Sequence, residues 1–326
     1  MGYVAGELIK DDEYNAFVAS SSSPFGYNHI AGTGSGNQGL GQTELGQVSA
    51  GASNEIKAAS WNSLLAGIDN IANHTNDTMT TRGQVTAGDT IKIKSNVATD
   101  LATLSASVAG GCVNATAVSE SSELQSAAAS GRYATSHVVE HSVTFASGNN
   151  LRFFFNAGGK IRIKLTRTGN GGSSSATSKD ASVDELITAL GNFDIGAQVS
   201  TRSGSGETLQ TDGLANGVDD FGTAYTTIAV IRQSSGTYTT MDLKIEGKVD
   251  NATYGSAVKV TVKCSVIDAD TGDSEFTSGN TSGVDQFANF LGVTDWALHT
   301  VNPTTAQGLG SVVGISASAI ETNTTS

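Results

Sequence analysis

The segment Met241–Val266 reads MDLKIEGKVDNATYGSAVKVTVKCSV and carries the strongest structural pattern in the chain. Apolar and polar residues alternate with a period of two on both sides of Asn251–Gly255, which predicts an antiparallel hairpin with its turn at that stretch. The alternation leaves one apolar face that another layer must cover, and Cys264 lies on that face as a small buried hydrophobe. Thr226–Arg232 is predicted as a third strand of this sheet.

A second group of strands is predicted earlier in the chain, where the period changes to two from Tyr133 onward. Val138–Phe145, Leu151–Asn156 and Lys160–Arg167 read as three strands of an antiparallel meander with Gly- and Asn-rich turns between them. This meander would supply a second layer over the hairpin sheet. The fold predicted for residues 133–303 is therefore an antiparallel β-sandwich with one or two inserted helices.

Helical patterns precede the strands, in residues 53–132. Two apolar seams have the spacing of three and four residues that keeps one side of a helix towards a partner. The first seam is Trp61, Leu64, Ile68 and Ile71, and the second is Val97, Leu101, Leu104 and Val108. Ser53 and Asn54 are predicted to cap the first helix, and Gly110 and Gly111 to end the second. Two interpretations stay open: the helices pack within their own domain, or they bundle around an oligomer axis.

Two more helical segments are predicted within residues 133–303. Ser182 and Glu185 form a Ser-x-x-Glu capping box, and Gly191 would end the helix that follows it. Asp285–Leu291 is predicted as one further helical turn that packs back on the sheets.

Segments rich in small residues flank this predicted folded region. Residues 1–52 begin with a short amphipathic stretch, Asp11–Val18, and continue into Ser20–Ala52, which is nearly all Gly, Ser, Asn and Gln. Because such a loop cannot stabilise itself, it is predicted as a flexible linker or as an extended arm laid across a neighbouring subunit. Residues 304–326 are predicted as an extended tail that contacts another subunit.

Composition narrows the function classes. The chain of 326 residues contains 39 Gly, 2 Pro and only 15% charged residues, so its surface is made largely of small neutral polar groups. Its net charge of −13 disfavours binding to nucleic acid or to anionic membranes. The absence of a long apolar run and of a basic-then-apolar leader predicts a protein that is neither membrane-spanning nor secreted. Cys112 and Cys264 are far apart, which favours a reducing cytoplasm over a disulfide scaffold.

The sequence His137-Val138-Val139-Glu140-His141 matches the His-x-x-Glu-His pattern of one class of zinc peptidase. Zinc binding by this pattern requires a helix, in which residues four apart lie within about 6 Å. The surrounding β-branched residues instead predict a strand, in which the two imidazoles would be about 13 Å apart. We therefore expect a strand with solvated His and Glu side chains and no zinc.

Two other motifs fail on their context. Gly34–Gly39 fits Gly-x-Gly-x-x-Gly but has neither a preceding hydrophobic strand nor a following helix. Asp268, Asp270, Asp273 and Glu275 lack the twelve-residue spacing of a calcium loop, so an acidic hairpin tip is predicted instead. The sequence thus offers no catalytic, cofactor-binding or metal-ligating residue, and it predicts a non-enzymatic protein without a cofactor.

Several stretches of the N-terminal part follow one another in a recurring layout. They are DEYNAF at 12–17, GTGSGNQGLGQ at 32–42, VSAGA at 48–52 leading into IKAASWNSL at 56–64, and the run from Ile68 to Thr75. This layout resembles virion structural proteins of contractile-tailed phages of marine cyanobacteria and related hosts. Val143–Gly159 is similar to phage tail and fibre-like proteins. The Gly-Leu-Gly-Gln end of the loop and a longer insertion at Ser20–Tyr27 depart from the family pattern.

The resemblance implies a virion structural subunit in the tail, baseplate or fibre-attachment region, with no catalytic residues to carry over. Its partners would be further copies of itself, in trimeric or hexameric symmetry, and other tail or neck proteins, assembled in the host bacterial cytoplasm. The alternatives are a capsid-decorating or neck-collar protein, and a fibre domain that binds a host-surface glycan. Exposed aromatic residues would favour the glycan-binding alternative, and the sequence offers Tyr225, Tyr238, Tyr254 and Trp296.

Overall fold

The computed structural model describes residues 11–22, 25–49, 56–80, 83–86, 94–115, 118–129, 135–169, 178–234, 239–268, 293–303 and 314–326. The contacts along the chain divide it into two units. Unit 1 comprises Met1–Ser119, Ser147–Gly159 and Asn302–Gly314. Unit 2 comprises Glu120–Ala146, Lys160–Val301 and Ile315–Ser326.

The helices and strands of the described residues follow in chain order. The helices are α1 (Asp11–Val18), α2 (Tyr27–Ile30), α3 (Ala58–Thr75), α4 (Lys94–Ala109), α5 (Gly148–Asn156) and α6 (Ser178–Leu190). The strands are β1 (Val118–Glu120), β2 (Gln125–Ala128), β3 (Ser136–Phe145), β4 (Lys160–Thr168), β5 (Phe193–Ile195), β6 (Ser200–Arg202), β7 (Thr208–Asp212), β8 (Thr226–Arg232), β9 (Met241–Val249), β10 (Lys259–Asp268), β11 (Val293–Pro303) and β12 (Ile315–Thr325).

Two antiparallel sheets dominate the described part of the chain and confirm a mainly β fold. The first sheet has the order β1-β11-β4-β5-β6, with β2 also paired to β11, and the second has the order β12-β3-β10-β9-β8-β7. The predicted hairpin is confirmed, since β9 and β10 pair antiparallel with Val249 opposite Val260 and Ile245 opposite Cys264. Cys264 is fully buried, as the alternation predicted. Its neighbour β8 matches the predicted third strand, Thr226–Arg232.

The predicted meander is wrong in its middle element and in its pairing. Strand β3 pairs with β10 and β12, whereas β4 pairs with β5 and β11, so the two outer strands of the supposed meander lie in different sheets. The segment predicted as the middle strand, Leu151–Asn156, is the body of helix α5. The helix takes the place of the strand to which both outer strands would have paired through tight turns, so nothing in this segment joins β3 and β4 in one sheet.

Local sequence explains why α5 is a helix. The Ser147 side chain accepts a hydrogen bond from the Asn150 backbone N–H at 3.1 Å, which caps the first turn. Leu151, Phe154 and Phe155 have the i, i+3, i+4 spacing of one helical face, and all three are fully buried. A run of three phenylalanines has no period of its own, so a reading by alternation alone could not separate strand from helix.

The two apolar seams lie on helices and are buried within unit 1. All eight seam residues belong to one hydrophobic core cluster together with residues of α1, α2 and the loop that follows. This burial favours the interpretation in which the helices pack within their own domain. Helix α4 ends at Ala109, and Gly111 follows with a φ of 73°. The first residue of α3 is Ala58, and the predicted caps, Ser53 and Asn54, lie outside the described residues.

The segment predicted as an extended arm is folded onto its own unit over its described residues. Ile30 and Leu40 are fully buried, with 0% relative exposure, and both belong to the core of unit 1. We call the Gly-rich stretch at residues 32–42 the glycine loop. Backbone hydrogen bonds from the Gly39 N–H to the Ile30 carbonyl and from the Leu40 N–H to the Ala31 carbonyl, at 3.0 and 3.1 Å, hold this loop against the end of α2. The sparse apolar residues of the loop are therefore anchors, which a reading by composition passes over.

Arg152 of α5, a buried residue of unit 1, binds the glycine loop through hydrogen bonds to its backbone. Its guanidinium donates to the carbonyl oxygens of Thr33 and Gln38 and, at 3.3 Å, to that of Gly36, while its side chain is buried. Asn156, one turn later on the same helix, donates to the carbonyls of Gly36, Gln38 and Gly39 at 3.3, 3.1 and 3.1 Å. The loop has no regular structure, so these side chains provide hydrogen-bond donors for its backbone carbonyls, among them those of the buried residues Gln38 and Gly39.

Two further predictions differ from the structure, one for the start of helix α6 and one for the C-terminal residues. Helix α6 begins at Ser178, so Ser182 lies inside the helix instead of capping it, while Gly191 follows the helix with a φ of 57° as predicted. The C-terminal residues predicted as an extended tail to another subunit include β12, which pairs with β3 of the same chain. The predicted turn at Asp285–Leu291 lies outside the described residues.

Candidate functional site

The His-x-x-Glu-His motif lies on a strand, as predicted, but its histidines are buried and not solvated. His137, Val139, His141 and Val143 alternate along β3 and all have 0% relative exposure, so both imidazoles share the interior face with valines. In a strand, residues two apart lie on the same side, so the spacing of the two histidines from Val139 and Val143 already indicates that they share the valines' side. Among the described residues no group of three or more His, Cys, Asp or Glu side chains could hold a metal ion.

His137 links strands of both sheets of unit 2. Its Nδ1 lies 2.7 Å from Thr294 Oγ1 on β11, and its Nε2 lies 3.1 Å from Asn323 Oδ1 on β12. Asn323 in turn donates to the carbonyl oxygen of Ala128, at the end of β2, at 2.8 Å. Burial lowers the pKa of His137, and it lowers the pKa of His141 to about 4, although Trp296 and Asp295 offset part of the shift. Both histidines are therefore neutral at pH 7.

The opposite, outward side of the second sheet carries an ordered row of charges. Lys263 on β10 lies opposite Glu140 on β3 and opposite Glu246 on β9, so the three side chains alternate in sign across adjacent strands. The Glu246 carboxylate forms ion pairs with Lys244 at 2.8 Å and with Lys263 at 2.6 Å. Burial would raise the pKa of Glu246, but the hydrogen bonds from the two lysines lower it overall.

Removing the charge of Glu246 is expected to destabilise unit 2. Glu246 is only 6% exposed, so Glu246→Gln would remove the buried carboxylate that pairs with the ammonium groups of Lys244 and Lys263, at a cost of about 1 to 3 kcal/mol. The matched control is Asp184→Asn on α6, whose side chain is 50% exposed in its pair with Arg167 and should cost less than about 1 kcal/mol. Urea unfolding measures both, and equal costs would contradict the importance of the buried carboxylate.

Tyr225 lies over this charged row. The Nζ atoms of Lys248 and Lys263 are 4.1 and 4.3 Å from its ring centroid, a distance at which cations are attracted to the aromatic ring. Burial and the nearby carboxylate of Glu140 raise the pKa of the Tyr225 hydroxyl. The sequence singled out Tyr225 as one of four aromatic residues, but only the fold brings it to the two lysines.

A groove opens next to Tyr225 on the same outward side. It has a volume of about 310 Å³, and its lining includes Glu140, Lys248, Asp250, Lys259, Thr261 and Glu321. Lys259 and Glu321 form an ion pair at 2.5 Å, and Ser142 donates to the same carboxylate at 2.7 Å. Hydrogen bonds from Lys259 and Ser142 lower the pKa of Glu321, which keeps the carboxylate ionised. We call this feature the sheet groove.

The remaining predicted features fall in different places. Trp296 is fully buried, Tyr254 is half-buried, and Tyr238 lies outside the described residues, so the four aromatic residues do not form one surface. Of the four acidic residues compared with a calcium loop, Asp268 is buried at the end of β10 and the other three lie outside the described residues.

The sheet groove was not found by sequence reasoning. The alternation in β9 and β10 did show which residues face outward, among them Lys248 and Thr261. It could not show that β3 and β12 bring Glu140 and Glu321 to the same place, because those strands are far away in the chain.

Neither a membrane-spanning helix among the described residues nor a similar known protein points to a function for this chain. No helix in the described part of the chain is both long and apolar enough to cross a membrane. No protein-family model, no curated protein and no solved structure matches this chain.

Proposed function

We propose that the protein is a non-enzymatic structural subunit of a phage virion, which assembles with further copies of itself and with other virion proteins. The resemblance of residues 12–75 to virion structural proteins supports the class. The tail, baseplate or fibre-attachment region is the proposed location, with the capsid surface or the neck and collar as alternatives. Low charge and small polar residues are consistent with a surface that contacts other proteins.

The observation that carries the assembly proposal is the edge strand β12. Among the described strands it is the last of its sheet and pairs with β3 on one side only. Most of its eleven residues are exposed, it contains no proline, and Glu321 is its single charged residue. Charges, proline and β-bulges protect natural edge strands from pairing. Strand β12 has bulges but only one charge and no proline, and an edge of this length with so little charge favours pairing with another chain.

Two β-bulges limit how a partner strand could pair there. The register of β12 against β3 shifts between Ile315 and Ala317 and again between Ile320 and Thr322. The edge is thereby divided into two regular runs, and Ile320, 38% exposed, lies at the end of the first. Bulges twist an edge and select the register, which favours one specific partner over indiscriminate stacking.

We also propose that the two sheets of unit 2 pack as a β-sandwich. Three polar contacts that join strands of different sheets support this arrangement: His137 with Thr294, Asn323 with Ala128, and Gln125 with Ser318. A sandwich would cover the apolar faces of both sheets with one core.

Adding a charge to the edge is expected to weaken self-association. The full chain should form oligomers at high concentration in light scattering after size exclusion, and Ile320→Lys should weaken the association by roughly tenfold or more. Thr188→Lys adds the same charge on the exposed surface of α6 and should leave the oligomer unchanged. A strict monomer at high concentration would overturn the assembly proposal, and electron microscopy of particles labelled on this chain tests its location.

A further inference from the structure

We infer that the sheet groove binds a neutral, polyhydroxylated ligand, that is, a saccharide. This inference goes beyond the structural role proposed above and does not depend on the oligomeric state. The groove lies on the outward side of the second sheet of unit 2, and four strands, β3, β9, β10 and β12, contribute to it.

The residues of the lining disfavour an apolar ligand. Val249, whose side chain belongs to the core, is the one apolar residue among the described residues that line the groove, and the others are charged residues and threonines. The volume of about 310 Å³ corresponds to roughly ten water molecules, enough for a small sugar unit. Sites for apolar small molecules are instead lined mainly by hydrophobic and aromatic side chains.

The charges of the lining disfavour a highly charged ligand of either sign. The lining contains three carboxylates, those of Glu140, Asp250 and Glu321, and two ammonium groups, those of Lys248 and Lys259. The carboxylate of Glu321 is already neutralised by Lys259, and the ammonium of Lys248 lies over the Tyr225 ring. A polyanion would meet the three carboxylates, and a polycation the two ammonium groups, so both would be repelled by part of the lining.

The same groups suit hydroxyl groups, which donate and accept at once. Glu140 and Glu321 can accept from neighbouring hydroxyls, whereas Lys248 and Thr261 can donate to them. Hydrogen bonds to ionised groups are the stronger kind, so a few of them can orient a small polar ligand.

The backbone holds the lining in place before any ligand arrives. Asp250 accepts from the backbone N–H groups of Val258 and Lys259 at 2.9 and 3.1 Å, which fixes the base of the hairpin. Thr261 lies opposite Ser142 on one neighbouring strand and opposite Lys248 on the other. A preorganised lining loses little entropy on binding, which favours affinity for a small ligand.

The test uses the full chain on an array of neutral oligosaccharides and their sulfated counterparts, followed by calorimetric titration of the best neutral binder. We expect binding of at least one neutral oligosaccharide and weaker binding of its sulfated form. Lys248→Met and Glu140→Gln should each weaken that binding about tenfold or more. The control is Lys244→Met, because Lys244 lies on the same side of the sheet but pairs with Glu246 outside the groove. This variant should bind the oligosaccharide with an affinity within about twofold of the wild type.

Three outcomes would overturn the inference: no neutral oligosaccharide bound at roughly 10 mM, stronger binding of the sulfated forms, or wild-type binding by both groove variants. Circular dichroism shows whether the variants keep their fold, and Ser142→Ala, which removes a single hydroxyl beside Glu321, provides a milder second variant. Light scattering on the same samples reports self-association separately, so loss of binding and loss of assembly are distinguishable.

Discussion

Replacing Arg152 by methionine is expected to destabilise unit 1 by about 3 kcal/mol. The guanidinium donates to main-chain carbonyls of the glycine loop at Thr33, Gly36 and Gln38, and the Arg152 side chain is buried. Methionine keeps the aliphatic stem but offers no donor, so the Thr33 carbonyl oxygen would lose its Arg152 donor, and the carbonyl oxygens of Gly36 and Gln38 would lose one of their two side-chain donors. Asn156 would still donate to Gly36, Gln38 and Gly39, which is why the loop should loosen instead of detaching completely.

The measurement is urea unfolding followed by hydrogen-exchange mass spectrometry, which resolves peptides of unit 1 from those of unit 2. Protection in residues 28–42 should decrease first. Arg202→Met is the matched control, because Arg202 donates one hydrogen bond, to the Ala189 carbonyl at 2.9 Å, and should cost about 1 kcal/mol or less. A cost for Arg152→Met no greater than that of the control would contradict the role of Arg152 as the support of the loop.

Acid is expected to destabilise unit 2 between about pH 6.5 and pH 4, well before the carboxylates are fully protonated. Burial lowers the pKa of His141 to about 4 in the folded protein, whereas an unfolded chain has an ordinary histidine pKa of about 6.5. Below pH 6.5 the unfolded state therefore binds more protons, so stability is complete at neutral pH and falls as the pH decreases. The expected loss from His141 is about 3 kcal/mol, and His137, whose pKa burial also lowers, adds to it.

His141→Phe separates this effect from the titration of carboxylates. The variant cannot take up a proton at this position, so its free energy of unfolding should depend less steeply on pH than that of the wild type, whatever its stability at pH 7.5. The control is His299→Gln, a change from histidine at a half-buried position on β11, which should keep most of the wild-type pH dependence. Urea unfolding at several pH values between 7.5 and 4 gives the slopes, and parallel curves for wild type and His141→Phe would contradict the prediction.

Sequence periodicity was informative where one element alone decides which residues are buried. The hairpin of β9 and β10 was predictable because its two strands are adjacent in the chain, and each has one apolar and one polar side. The seams of α3 and α4 were predictable for the same reason, since an apolar stripe on a helix depends only on the spacing of its residues.

Prediction failed where residues distant in the chain decide the structure. Strands β3 and β4 were predicted to be the outer strands of one meander because they are close in sequence, yet β3 pairs with β10 and β12, and β4 pairs with β5 and β11 in the other sheet. The three consecutive phenylalanines are compatible with a strand by sequence alone. In the structure they lie in helix α5, which Ser147 caps and which is buried in the core of unit 1. Glycine content suggested an extended arm, but Arg152, more than 100 residues away, provides donors for its carbonyl groups.

The sequence by itself therefore determined the alternating strands, the helical seams and the outward position of the lysines on β9 and β10. Local periodicity specifies these features, because a side chain's direction follows from its place in the strand or helix. Only the tertiary structure decided that the side of β3 that carries His137 and His141 is the buried one, that β12 pairs with β3, and that Glu140 and Glu321 line the sheet groove together with Lys248 and Lys259. Such placements depend on pairing between strands that are far apart in the chain, and the free energy of that pairing comes from burying both partners together.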